Sequence, residues 1–273
     1  MKETFEKWIE RIDVTSDVME AVGQSYNGAK KVPKEQYVFL DLLKRIKANL
    51  RGCRDMLFEL SLLDPNRDNF EKKIPLSILM RSCIADCLTG LYLASFDREG
   101  FAEELDVLNL DFVKYLGSMI PLEIELYNTL FEDREDAQRH LDERHEGFSK
   151  WLQSDIGEAW KTKKPVDFRS DKTRTNKIDF LGIHQRLKEA APELRTFSYM
   201  YNFYRYYSQY EHFTSAGREL YNSPFEKEIG LMERALASIM HSVLLLFSTL
   251  DKASSEMVKP LIDELNAIVP PKI

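Results

Sequence analysis

The sequence predicts an all-α protein. Three observations carry that prediction. The 273 residues hold only 11 glycines and 10 prolines, apolar residues recur at three- and four-residue spacing along most of the chain, and no stretch alternates apolar and polar at the period of a strand. Residues 3–22 set Phe5, Trp8, Ile9, Ile12 and Val18 near helical spacing. Pro33 suits a first helical turn, where its missing N–H is no loss. After it Tyr37, Leu40, Leu43, Ile46, Leu50, Leu57 and Leu60 mark a long helix over 34–63, ending at Asp64-Pro65-Asn66. A third helix is expected over 73–96, with Pro75 in its first turn. Residues 101–131 read as short helices broken near Pro121, and 132–160 as a charged helix. The helical pattern resumes over 178–190, and Pro192 opens a helix expected to reach Tyr221. Ser223-Pro224-Phe225-Glu226 is a start signal, with serine as cap, proline at the first position and glutamate at the third. The helix it opens, 225–250, carries Ile229, Met232, Leu236, Ile239, Met240, Val243, Leu244 and Phe247 around more than one face, which places it centrally. A last helix over 255–268 stops before Pro270-Pro271.

These elements imply a single helical bundle over 1–273, with core helices near 34–63, 72–96, 192–221 and 225–250 and with 97–177 as an excursion from it. A chain of this length buries enough surface to need neither disulfides nor metals as staples. A hydrophobic share of 44% excludes a disordered or low-complexity chain. The three cysteines, Cys53, Cys83 and Cys87, form neither a paired framework nor a CxxC, and read as small buried apolar groups. The charged, amphipathic start has no signal-peptide pattern. The strongest apolar stretch, 235–250, is shorter than the roughly 20 residues a bilayer needs. A cytoplasmic protein without membrane contact is the expectation.

Named chemical motifs are absent: no phosphate loop, dinucleotide fingerprint, nucleophile elbow or zinc-protease pair. No cofactor and no metal site is therefore expected. The nearest approach to a metal pattern is Asp142-x-x-His145 with Asp136 and His140. Residues 132–146 hold seven acids against three arginines, so a solvated, ion-paired helix is the preferred reading. The net charge of −7 gives no global field for nucleic acid, and nothing signals DNA. The charge is nevertheless segregated: the tract 161–177 has seven basic and two acidic residues, with Phe168 its only aromatic. Such a tract can neutralise phosphates, yet it lacks the aromatic interleaving of a single-strand platform, and a connector is preferred.

Two polar features stand out within apolar helices. Arg81 sits in Ile78-Leu79-Met80-Arg81-Ser82-Cys83-Ile84. A guanidinium there must snorkel or find an anion. Asp86 is five residues on and faces elsewhere, so the partner must come from another helix or from a bound anion, a structural ion pair being preferred. The second feature runs from Tyr199 to His212. At helical spacing Tyr201, Arg205, Ser208, His212 and Ser215 share one stripe, and Tyr204, Ser208 and His212 stack at successive four-residue steps. Tyrosines in that density form core walls with hydroxyls at polar edges.

An apolar helix bearing Arg81-Ser82, paired with a later Tyr204-x-x-x-Ser208-x-x-x-His212 helix, resembles a group of uncharacterised bacterial all-helical proteins that are similar in turn to the HEPN superfamily. The signature of that superfamily is an arginine followed, after four to six residues, by a histidine; Arg205 and His212 have six between. The resemblance implies a HEPN-like four-helix core and a metal-independent endoribonuclease of toxin or phage-defence type, usually built at a homodimer interface. RNA and a second copy of the chain would be its partners. His212 would move protons around the attacking 2′-hydroxyl and Arg205 would hold the phosphate, with Arg81, Tyr201, Tyr204 and Ser208 in support. Two other readings stay open at this point: a non-catalytic helical interaction module in which these residues clamp helices together, and a pocket for a small anion at Arg81.

Overall fold

In a computed structural model of the chain, the described residues are 2–27, 34–63, 70–105, scattered positions from 125 to 146, 179–211, 217, 219–220, 223, 225–250, 256 and 258–268. Among them there is no strand, and the protein is all-α. The basic tract 161–177, His212, His145, Pro121 and the Asp64-Pro65-Asn66 break lie outside the described residues. The chain divides into two compact units, one of Met1–Phe96 with Phe180–Ile273 and one of Asp97–Asp179.

The first unit contains α1 (Lys2–Ser25), α2 (Lys34–Leu62), α3 (Phe70–Ala94), α4 (Phe180–Glu189), α5 (Pro192–Arg195), α6 (Met200–Ser208), a 3₁₀ turn at Phe225–Lys227, α7 (Ile229–Phe247) and α8 (Lys259–Ile268). Helices α1 and α2 form an antiparallel hairpin. Its register shows in Asp13 meeting Arg54 and Glu20 meeting Lys47. Helix α3 runs back along α2, with Lys72 beside Glu59 and Asp86 beside Arg45. Its apolar residues are spread around the helix, as suits an element packed against α2, α4, α6 and α7 at once. Close approach at its end requires Gly90. A Cβ there would stand 2.9 Å from both methyls of the buried Leu246 and 3.4 Å from Leu42.

Four expectations change. The four-helix core left out α1, yet α1 is a full member: Phe5, Trp8, Ile12, Val18, Met19 and Val22 are buried, and Trp8 Nε1 donates to Glu233 of α7 at 3.0 Å. The helix expected from Pro192 to Tyr221 is broken. α5 is a single turn, 196–199 are turn residues, and α6 ends at Ser208. Thr196 and Ser198 are weak helix formers, and the Ser198 carbonyl is taken by the His184 ring at 2.7 Å. Helix α3 starts at Phe70 rather than near Lys73, so Pro75 falls past the first turn, where it removes one ladder hydrogen bond. The start signal at 223–226 does precede a helix, but through a 3₁₀ turn, with α7 itself beginning at Ile229.

Residues 235–247 of the apolar run at 235–250 belong to α7. Both α3 and α7 are long and apolar enough to cross a membrane by length and composition, and more than half of each apolar window is buried within the protein. Core helices meet the same test, so this does not establish membrane association.

In the second unit, residues 98–105 are helical. The carboxylate of Asp97 accepts the Gly100 N–H at 2.9 Å, which satisfies one of the free donors at the helix start. Of the acidic stretch, Arg139 pairs with Asp136, Gln138 bonds Asp142 at 2.8 Å and His140 lies 3.9 Å from Glu143. These are exposed contacts within one helical pattern. Among the described residues no three His, Cys, Asp or Glu side chains gather as a metal site.

Candidate functional site

Arg81 lies on α3 facing α6, and the tyrosine-rich segment closes over it. Its Nε donates to Ser208 Oγ at 2.9 Å and its Nη2 to the Tyr204 hydroxyl at 3.0 Å. Its Nη1 forms an ion pair with Glu211. The guanidinium carbon stands 4.9 Å from the Tyr204 ring centre, and Phe180 covers that ring with 4.0 Å between centroids. Ser208 Oγ also donates to the Tyr204 carbonyl at 2.7 Å, which fixes its lone pair toward the arginine. The side chains of Arg81 and Glu211 are 23% and 27% exposed, so the pair is neither sealed nor freely hydrated.

Of the residues singled out in the sequence, the structure therefore unites Arg81, Tyr204 and Ser208. It places Tyr201 and Arg205 in a different cluster. The His184 ring stacks on Tyr201 at 4.8 Å and 26°, and the Arg205 guanidinium lies 5.9 Å from the same tyrosine. His184 Nδ1 faces the Ser198 carbonyl at 2.7 Å, so Nδ1 carries a proton and donates there. Arg205 is exposed. His212, expected to complete the stripe, lies outside the described residues.

A second cation of α3 was not anticipated. Lys73, two turns before Arg81, is 2% exposed. Its ammonium pairs with Glu228 and donates to the carbonyls of Leu220 and, at 2.9 Å, Ser223. Two of its donors thus meet carbonyls, while the Glu228 oxygen beside it is held by charge and makes no hydrogen bond among the described residues, and the Tyr210 ring lies 5.6 Å away. The Tyr210 hydroxyl donates to the other oxygen of Glu228. Burial first, then that hydrogen bond and the carboxylate charge, hold the Tyr210 phenol well above its usual range. Burial, with the Glu228 charge behind it, pushes Tyr206 up to about 12. These tyrosines stay neutral donors at physiological pH.

Asp86 has its own partner. Its Oδ1 lies 3.1 Å from Arg45 of α2, while Oδ2 is buried and makes no hydrogen bond among the described residues. Burial pushes its carboxyl up to about 6, against the opposing pull of Arg45. The cysteines are free and buried as expected. Burial holds the thiols of Cys83 and Cys87 far above the ordinary range, so they are poor nucleophiles.

Sequence reasoning missed Glu211, Glu228, Lys73, Phe180 and His184. Glu211 was within reach, because it stands seven residues after Tyr204 and so shares a helix face with Tyr204 and Ser208. Nothing local marks Glu228 as the partner of Lys73. The chain matches no protein-family model, no curated protein and no solved structure.

Proposed function

We propose that this chain is a helical interaction module, in which Arg81, Tyr204, Ser208 and Glu211 act as an interhelical clamp. The observation that supports this reading is the engagement of Arg81: all three of its nitrogens meet protein groups, and Glu211 supplies the negative charge that a phosphate or other anion would bring. Phosphate held at this arginine would face a carboxylate already in place, a repulsion that a binding site avoids. Arg205, the phosphate-holding residue of the ribonuclease reading, lies 5.9 Å from the Tyr201 ring. Lys73 and Glu228 repeat the arrangement two turns earlier, which favours a shared structural purpose for the α3 cations.

The test joins stability and activity. Arg81→Met and Glu211→Gln should each lower unfolding free energy by about 1–3 kcal/mol, and the double variant should lose less than the sum. Purified protein incubated with single-stranded RNA in the presence of a chelator should leave it intact. Metal-independent cleavage that disappears in folded Arg205→Ala or His212→Ala would overturn the module reading in favour of the ribonuclease.

A further inference from the structure

Where α1 and α2 part near the end of their hairpin, a cavity of about 300 Å³ opens between them. That is the lower end of the range for small-molecule sites, roughly 300–1,000 Å³. Its floor is apolar, built from the buried Met19, Leu40 and Leu43. Tyr37 stands at its edge with 52% of its surface exposed, an unusual fate for an aromatic beside an apolar floor. Gly23 forms part of the wall. A Cβ at Gly23 would meet nothing within 4 Å, so no close packing requires glycine there, although it lies within α1 and weakens the helix. A longer side chain at this position has open space to extend into beside the cavity.

The polar lining has a sign. Glu20 and Lys47 are paired with each other and cancel. Lys44 also lines the cavity, and among the described residues its ion pair is with Asp41 one turn away, at 3.2 Å between side chains 72% and 67% exposed. Exposed pairs of that kind are weak, so the Lys44 ammonium can turn to a new anion. Two lysines against one glutamate argue against a cationic occupant, even beside tyrosine rings.

The geometry points to a binding site for a small monoanion carrying a flat apolar body, of the aromatic carboxylate class. The body lies on Met19, Leu40 and Leu43 beside the Tyr37 ring, and the carboxylate meets Lys44. This site is separate from the Arg81 clamp and does not depend on it.

The experiment uses the full chain and 1-naphthoate as probe, with 1-naphthalenemethanol as its uncharged counterpart, by titration calorimetry. Naphthoate should bind with a dissociation constant below about 1 mM, and the alcohol about fivefold or more weaker. Gly23→Leu fills the cavity with a better helix former at a half-exposed position, so the variant should keep its circular dichroism and melting temperature while binding falls at least about tenfold. Lys44→Gln, at an exposed side chain, should weaken naphthoate about threefold to tenfold and leave the alcohol unchanged. No naphthoate binding to the wild type, or equal binding by folded Gly23→Leu, would overturn the site. Equal affinity for acid and alcohol would overturn its assignment to anions.

Discussion

Lys73→Met separates the two sides of a buried ion pair in a way the structure makes quantitative. The lysine side chain is 2% exposed and Glu228 10%, so neither regains water when its partner is lost. Methionine matches the length of lysine and fills the same space, and cavity formation therefore contributes little. What remains is a buried carboxylate without its cation, plus the Leu220 and Ser223 carbonyls without their donor. Breaking a buried pair from one side costs about 3–5 kcal/mol, and the orphaned carbonyls act in the same direction. Against a total stability of roughly 5–15 kcal/mol, the variant should lose about a fifth or more. Replacing the partner as well tests the cause. Glu228→Gln keeps an acceptor for Tyr210 while removing the charge, so Lys73→Met/Glu228→Gln should recover about 2 kcal/mol relative to Lys73→Met alone. The assay is urea unfolding followed by circular dichroism for the wild type, both single variants and the double. A Lys73→Met loss under about 1 kcal/mol, or strict additivity in the double variant, would refute the reasoning, because either result means the pair is hydrated rather than buried.

Two further outcomes follow from single positions. Burial raises the Asp86 carboxyl to about 6, so the folded state holds this proton more tightly than the unfolded chain. Its contribution to stability is therefore greatest below about pH 4 and is lost as pH rises through about 6, by at most about 3 kcal/mol. Asp86→Asn should remove that loss. The variant should gain on the wild type by about 1–2 kcal/mol more at pH 7 than at pH 4, measured by urea titration at both; an equal difference at the two pH values would sink the idea. Gly90→Ala and Gly230→Ala should act in opposite senses on the melting temperature. A Cβ at Gly90 meets Leu246 at 2.9 Å, whereas at Gly230 it meets nothing within 4 Å. Overpacking lowers stability by about 1–3 kcal/mol, while alanine in an open helical site raises it by up to about 1 kcal/mol; changes of the same sign would contradict the packing described.

Much of the architecture was legible because its signals are local. The spacing of Phe5, Trp8 and Ile12, the run from Leu40 to Leu60, and the apolar pattern of 229–247 each report a helix through neighbours three and four residues away. Breaks were harder to read. At the interruption, 196–199, the Ser198 carbonyl accepts from His184, a residue of another helix, and the period of the flanking sequence runs through it unchanged. Arg81 was legible as a charge in need of a partner, since an isolated guanidinium among Ile78, Leu79, Met80 and Ile84 cannot stay unsatisfied. The identity of that partner was not. The stripe through Tyr201, Arg205 and Ser208 is correct for a helix, but α3 meets the neighbouring line through Tyr204, Ser208 and Glu211. Rotation of one helix against another by a fraction of a turn is set by packing, not by the sequence of either helix.

By itself the sequence determined the all-α class, the approximate bounds of the long helices and the need to neutralise Arg81, because helix periodicity, proline and capping chemistry, and the cost of a buried charge all act within a few residues. Only the tertiary structure decided that α1 belongs to the core, that Arg81 meets Glu211 and Lys73 meets Glu228, and that Arg205 lies beside Tyr201. These outcomes join residues far apart in the chain. They depend on which faces of α3 and α6 come together, and that choice is made by the packing of the whole core.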